Sequence, residues 1–191
     1  MFSHIATMLS FVYALSLTHV LASATDLVLA RRRVTFSGLQ TLWMVIAVLM
    51  LLFNWLSMWT LKDLQTWSIG WIGSLVLVAV NQYFICSLVA VKVAPDQPID
   101  MSAVWEEQRP IVIGAVLVLS LISLVVNAFD PSLQAPTGGL PMWLLQDLTI
   151  LPMVAILIVA IVVRTRWLQW VAGLAMLAGV LAFGASFVPV S

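Results

Sequence analysis

The sequence predicts an all-α polytopic integral membrane protein, a bundle of six transmembrane helices with one short cytoplasmic interfacial helix. Of its 191 residues 63% are hydrophobic and 8% are charged, and the mean hydropathy is +1.12. Soluble domains carry about 25% charged residues, so this chain has too little polar surface to cover itself. Six apolar stretches reach the length of about 20 residues that a helix needs to cross a bilayer. They leave no segment for a soluble domain, so a single transmembrane domain over residues 1–191 is expected.

The six predicted spans are joined by short connections, except for two longer ones. The spans are residues 5–30, 39–61, 67–91, 111–129, 143–163 and 167–190. Of the eight Lys and Arg residues, all but Lys62 fall on one predicted side of the membrane. Basic residues concentrate on the cytoplasmic side. The sequence therefore predicts a bacterial-type cytoplasmic (inner) membrane protein with both termini on the outer side.

The first predicted helix carries a stripe of polar residues on one face. Its members are Ser16, His19, Ser23 and Asp26. They are spaced three, four and three residues apart, which places them within about a quarter of the helix circumference. An ionisable group at membrane depth costs on the order of 2.5 to 3.5 kcal/mol. We therefore expect this stripe to point into the bundle, with the arginine triplet 31–33 following at the cytoplasmic end.

Amide side chains interrupt the second and third predicted helices. A seam of mainly small or polar residues runs along the second helix at spacings of three and four: Gln40, Trp43, Ala47, Met50, Asn54, Ser57 and Leu61. In the third helix, Asn81 stands beside Gln82 and Tyr83. Buried amides in membrane helices commonly bond to neighbouring helices, at about 0.6 kcal/mol each. Asn54 and Asn81 are thus candidates for a polar pathway, with helix packing as the alternative.

The longer cytoplasmic connection is expected to contain a short amphipathic helix at residues 100–109. Asp100 is a suitable N-cap, and Met101, Val104 and Trp105 are apolar while the residues that follow are polar or charged. Pro110 disfavours helical geometry at Arg109, so it is expected to open the fourth span. The segment 99–109 is a candidate docking surface for a partner membrane protein, or a linker that rests on the lipid headgroups.

The last predicted helix is rich in small residues at spacings of four. These are Ala175 with Gly179, and Ala178 with Ala182 and Ser186. Such faces let two helices approach closely. They are expected to serve either the interior of the bundle or a homo-oligomer interface.

Few residues offer groups for catalysis, metal binding or cofactor binding. Both histidines, His4 and His19, lie on the first helix, and Cys86 is the only cysteine, which excludes an intrachain disulfide and multi-cysteine metal motifs. Phosphate-binding, dinucleotide-binding and zinc-protease motifs are absent from the sequence. The net charge is zero, without the basic footprint of nucleic-acid binding. We therefore expect a protein that is not an enzyme and has no cofactor, metal site or nucleic-acid partner.

Two function classes remain for a protein whose first partner is the lipid bilayer. Polar stripes on at least four helices predict a permeation or transport protein for an ion, a proton or a small solute. Because histidine changes charge near neutral pH, His19 with Asp26 is a candidate proton relay or sensor. The alternative role for this pair is packing and ion pairing with a cytoplasmic arginine. The competing function class is a non-catalytic accessory or structural subunit that binds a partner membrane protein.

Overall fold

The computed structural model describes residues 2–62, 67–94, 97–129 and 142–185. Over these residues the chain forms six α-helices and two very short strands. The helices are α1 (Phe2–Leu29), α2 (Gly38–Ser57), α3 (Ile69–Val89), α4 (Met101–Phe129), α5 (Met142–Val162) and α6 (Arg166–Ala185). A short 3-10 helix, Met58–Leu61, extends α2, and the strands are β1 (Val34–Thr35) and β2 (Ile99–Asp100).

The helices confirm an all-α architecture suited to a membrane. Within the described residues, five helices are long and apolar enough to cross a bilayer: α1, α2 with its 3-10 extension, α3, α4 and α6. In α5, the apolar segment within the described residues is the shorter Ile150–Val162. The bounds of α1, of α2 with its 3-10 extension, of α3 and of α5 lie within three residues of the predicted spans. Six spans and their orientation stay predictions.

Polar side chains fix where three of the helices begin. Ser37 precedes α2 and accepts a hydrogen bond from the backbone N–H of Gln40 at 3.5 Å. Ser68 precedes α3 and accepts one from the N–H of Trp71 at 3.2 Å. Asp100 accepts from the N–H of Ser102 at 2.8 Å, which confirms it as the predicted N-cap. Each side chain satisfies a backbone donor that has no partner within its own helix.

The helix ends gather at two opposite ends of the bundle. At one end, the Phe2 ring contacts Trp59 and Trp67 with centroids 5.8 and 6.2 Å apart. At the other end, β1 pairs in parallel with β2, so that the loop after α1 is joined to the segment before α4. We call this second end, which carries Arg31–Arg33 and Arg164, the basic end.

The beginning of α4 differs from the expected interfacial helix at residues 100–109. One continuous helix runs from Met101 to Phe129 with Pro110 inside it. Met101, Trp105 and Arg109 are buried at spacings of four, so this first part packs into the bundle. Pro110 is exposed and costs the helix one backbone hydrogen bond. Packing of this buried face stabilises the helix across Pro110. The predicted boundary was wrong because it considered only the local effect of proline and not this packing.

The core lies where α1, α3 and α4 meet α2, α5 and α6. The most extensive helix contacts are those of α1 with α3, α4 with α5, α3 with α4, and α2 with α6. The largest fully buried apolar side chains of the core include Leu9, Trp43, Ile46, Ile85, Trp105, Ile113 and Leu157. Large apolar side chains are also exposed along every helix, as expected for surfaces that face lipid.

Candidate functional site

The predicted polar stripe of α1 lies across the boundary between its buried and exposed faces. The buried residues of this helix form a seam at spacings of three and four: Ile5, Leu9, Tyr13, Ser16, Val20, Ser23 and Leu27. Ser16 and Ser23 belong to this seam. The Ser16 hydroxyl donates to Val12 O of its own helix at 2.7 Å, and the Ser23 hydroxyl donates to Val91 O at 2.9 Å. Ser23 thereby attaches α1 to the segment that follows α3.

His19 and Asp26 are exposed, contrary to the expectation that the whole stripe points inward. Each stands one residue before a seam residue, Val20 or Leu27, and successive residues of a helix are rotated by about 100°. Ser16 and Ser23 lie within the seam, and His19 and Asp26 lie at its edge. They share one face, as predicted, but they are about 10 Å apart along the helix axis. They do not form a contacting pair.

His19 instead pairs with Tyr83 of α3. Its Nε2 lies 3.2 Å from the Tyr83 hydroxyl, within hydrogen-bond distance. The two rings meet edge to face, with centroids 5.4 Å apart and planes inclined at 75°. Nδ1, the other ring nitrogen, makes no hydrogen bond to the described residues. This polar pair lies on the outer surface where α1 meets α3, about 15 Å along the helix from Leu29.

The two predicted asparagines join helices. The Asn54 amide donates to Gln82 Oε1 at 3.1 Å, and the Gln82 amide donates to Ala47 O at 3.1 Å, which ties α2 to α3. The Asn81 amide donates to Ala115 O of α4 at 2.9 Å. Asn54 and Asn81 are therefore both engaged in hydrogen bonds between helices.

A buried polar cluster at the basic end was not predicted. Arg109 of α4 is 3% exposed, and its Nη1 donates to Val163 O at 3.2 Å and to Ala160 O at 3.5 Å. Gln169 of α6 is fully buried and its amide donates to the same two carbonyls at 2.8 and 2.9 Å. The last carbonyls of a helix lack partners within that helix and carry a partial negative charge. Arg109 and Gln169 together therefore cap the end of α5.

Two tryptophans extend this cluster toward α2. Trp43 and Trp105 stack with centroids 5.5 Å apart and planes inclined at 23°. Neither indole N–H has a partner among the described residues, and the same holds for Nε of Arg109. The seam predicted on α2 includes Trp43 and Gln40, and both are buried, which confirms that this seam faces other helices. Neither Arg109 nor Gln169 gave such a signal, because Arg109 falls at the helix boundary predicted before Pro110 and Gln169 stands near the start of the last helix.

Asp26 lines an open crevice at the basic end together with Arg33. The other lining residues are Leu29, Ala30, Val93 and Ala94, and the crevice has a volume of about 290 Å³. It joins the end of α1 to the segment after α3. It holds the two charges that sequence reasoning placed near the cytoplasmic surface.

Neither a metal site nor a similarity to a known protein indicates the function of this chain. Within the described ranges, no three His, Cys, Asp or Glu side chains come close enough to hold a metal ion. No protein-family model, curated protein or solved structure matches the chain. The arrangement of His19, Tyr83 and the interhelical amides is therefore the basis for a functional proposal.

Proposed function

We propose that this protein is a non-catalytic accessory subunit that binds a partner membrane protein through the surface around His19 and Tyr83. One observation carries the proposal: the imidazole of His19 and the hydroxyl of Tyr83 lie on the outside of the bundle, on helices long and apolar enough to cross a bilayer. Ionisable residues in transmembrane helices almost always face protein or a water-filled cavity. A second protein surface on this face would remove His19 from lipid.

The chemistry of the pair indicates what a partner would present. The contact with Tyr83 engages Nε2 of His19 and leaves Nδ1 without a partner in the described structure. A carboxylate, hydroxyl or amide on a neighbouring transmembrane helix would complete the hydrogen bonding of the imidazole. The flanking residues of the same face, Leu15 and Ala22, are exposed and provide apolar contact area.

The interior polar groups also favour an accessory role over a pathway. Gln40 donates to Val89 O at 2.7 Å, and the amides of Asn81 and Gln82 donate to carbonyls of other helices. Side chains held in this way stabilise helix contacts and are not free to exchange partners with a passing solute. The large apolar residues of segment 99–109 are buried or half-buried, and its exposed surface for a partner consists of Asp100, Ala103, Glu106 and Glu107.

The test is site-specific photo-cross-linking in native membranes. A photoreactive residue at Leu15 or Ala22 should yield a discrete protein adduct, while one at Ile111, exposed on α4, should yield none. The adduct should disappear in the His19→Leu variant and return in His19→Gln, which restores a hydrogen-bonding group. An adduct with the mass of two copies would identify the partner as a second copy of this chain. Lipid adducts alone at all positions would contradict the proposal.

Transport of an ion, proton or small solute stays a prediction that flux measurements can separate from the accessory role. Proteoliposomes containing only this protein should show no proton or ion flux above that of empty vesicles. Flux that depends on His19 and is lost in His19→Ala would contradict the accessory proposal. The crevice of Asp26 and Arg33 would then be the first place to search for an entry point.

A further inference from the structure

We propose that a groove between α1 and α2 binds one acyl chain of an anionic phospholipid, with the phosphate held by arginines at the basic end. The groove has a volume of about 340 Å³ and almost wholly apolar walls. On α1 it runs from Val20 to Val28, and on α2 from Thr41 to Leu49. It lies on the side of the α1 seam opposite His19, so it is separate from the partner surface.

The dimensions of the groove fit a single hydrocarbon chain. Each wall spans nine helical residues, and the rise from the first to the last corresponds to a length of about 12 Å. A volume of about 340 Å³ over this length leaves room for one extended hydrocarbon chain between the two helices. One leaflet of the hydrocarbon core is about 15 Å deep, close to the length of the groove.

Charge at the basic end of the groove selects the headgroup. Val28 and Phe36 line the groove at the basic end, and Arg31, Arg32 and Arg33 lie between them in the sequence. All three arginines are exposed, and Nη1 of Arg31 lies 3.5 Å from Val28 O, on the groove wall. Basic residues next to a membrane helix attract anionic headgroups, and guanidinium groups bind phosphate through paired hydrogen bonds. The apolar walls and the arginines are thus placed for the two parts of one lipid.

The experiment measures lipid binding to the purified full-length protein in detergent by native mass spectrometry. Phosphatidylglycerol or cardiolipin should bind more tightly than phosphatidylcholine. The double variant Arg31→Gln and Arg32→Gln should bind the anionic lipid about 30-fold more weakly. The matched control is Arg164→Gln with Arg166→Gln, which removes the same charge at the same end of the bundle, where both residues are exposed outside the groove lining. This control should retain wild-type affinity.

Filling the groove tests the acyl-chain half of the proposal. Ala24→Phe should weaken binding at least tenfold, and Val45→Trp on the opposite wall provides a second variant if the first fails to fold. Inorganic phosphate at matched concentrations should not compete. Equal binding of phosphatidylcholine, equal loss in the Arg164 and Arg166 control, or wild-type binding by both groove-filling variants would overturn the proposal. Competition by inorganic phosphate would show a headgroup site without the groove, and would overturn it as well.

Discussion

At the scale of single residues, polar side chains inside the bundle donate to backbone carbonyls of other helices or of the segments that follow them. Ser23, Gln40 and Asn81 each reach a carbonyl that lies more than 30 residues away in the sequence. In a membrane the alternative to such a bond is an unsatisfied polar group in hydrocarbon, although the net gain of each bond averages only about 0.6 kcal/mol. These side chains therefore fix which helices are neighbours more than they add to total stability.

The cap of α5 allows a test of shared hydrogen bonding. Arg109 and Gln169 both donate to Ala160 O and Val163 O, so either can substitute for the other. Arg109→Met and Gln169→Met should each lower the free energy of unfolding by about 1 kcal/mol. The double variant should lose on the order of 3 kcal/mol, more than the sum, because the carbonyls then lack any donor.

Reversible unfolding in mixed micelles, followed by tryptophan fluorescence, measures these values. Arg164→Met is the matched control because Arg164 is exposed at the same end, and it should change stability by less than 0.5 kcal/mol, as is usual for surface substitutions. Strictly additive losses in the double variant would show that the two side chains act independently and that the shared cap is wrong.

Sequence reasoning at this scale succeeds where periodicity carries the signal. The α2 seam faces other helices as predicted, since Gln40 and Trp43 are both buried. The prediction that His19 is buried fails because the stripe was defined by polar residues alone. The buried seam of α1 also contains apolar residues such as Val20, and they shift its centre away from His19. Sequence reasoning fails for Arg109 because Pro110 predicts a helix boundary at this residue, and the sequence does not show that the side chain reaches the end of α5.

At the scale of helices, glycines of α6 determine how closely its neighbours approach. An added Cβ at Gly184 would lie 2.6 and 2.7 Å from the two Cε atoms of Phe53 on α2. At Gly173 it would lie 2.7 Å from the flexible end of Leu42. The small residues predicted to allow close packing on α6 include Gly179, which faces the methyl group of Met153 on α5. The close approach of α2 and α5 to α6 therefore depends on the glycines of α6 as well as on its alanines.

The glycine positions predict opposite effects of one substitution. Gly184→Ala should destabilise the protein by about 1 to 3 kcal/mol because the Phe53 ring must move. Gly73→Ala on α3 meets nothing within 4 Å and should stabilise the helix by up to about 1 kcal/mol. Melting temperatures in detergent compare the two variants. A neutral Gly184→Ala would show that the ring of Phe53 rearranges freely.

The exposed alanines of α6 bear on the predicted homo-oligomer. Ala178 and Ala182 are both exposed and are spaced four residues apart, so one face of this helix is small and uncovered within the described structure. If two copies meet here, Ala178→Cys should form disulfide-linked dimers in oxidised membranes, whereas Val118→Cys on α4 should not. The native Cys86 is fully buried and provides little background. Monomers alone from Ala178→Cys would remove this face as the interface.

At the scale of the whole molecule, the pairing of β1 with β2 was not predicted because each strand has only two residues. No hydrophobic period is detectable over so short a stretch, and the parallel pairing joins segments that are 65 residues apart in the sequence. It brings the arginines after α1 next to the start of α4. The two ends of the bundle differ in charge: the rings of Phe2, Trp59 and Trp67 meet at one end, and most basic residues lie at the other.

The unlike ends lead to a prediction of orientation. Basic residues on short loops are retained in the cytoplasm during insertion, so the basic end should face the cytoplasm. Thr60 lies at the opposite end with Trp59 and should face outward, whereas Gln97 lies just before β2 at the basic end. Both are exposed, and a cysteine at either position should react with a thiol reagent that does not cross membranes.

In cells whose membrane around this protein is intact, Thr60→Cys should be labelled, and Gln97→Cys only after permeabilisation. The burial of Cys86 keeps the unmodified protein unreactive in both conditions and makes it the control. The reverse pattern would place the arginine triplet outside and would overturn the predicted orientation. It would also place the proposed phospholipid site in the outer leaflet, since Val28 and Phe36 line the groove at the basic end. The lipid-binding measurements on purified protein would be unaffected, so orientation and lipid binding are tested independently.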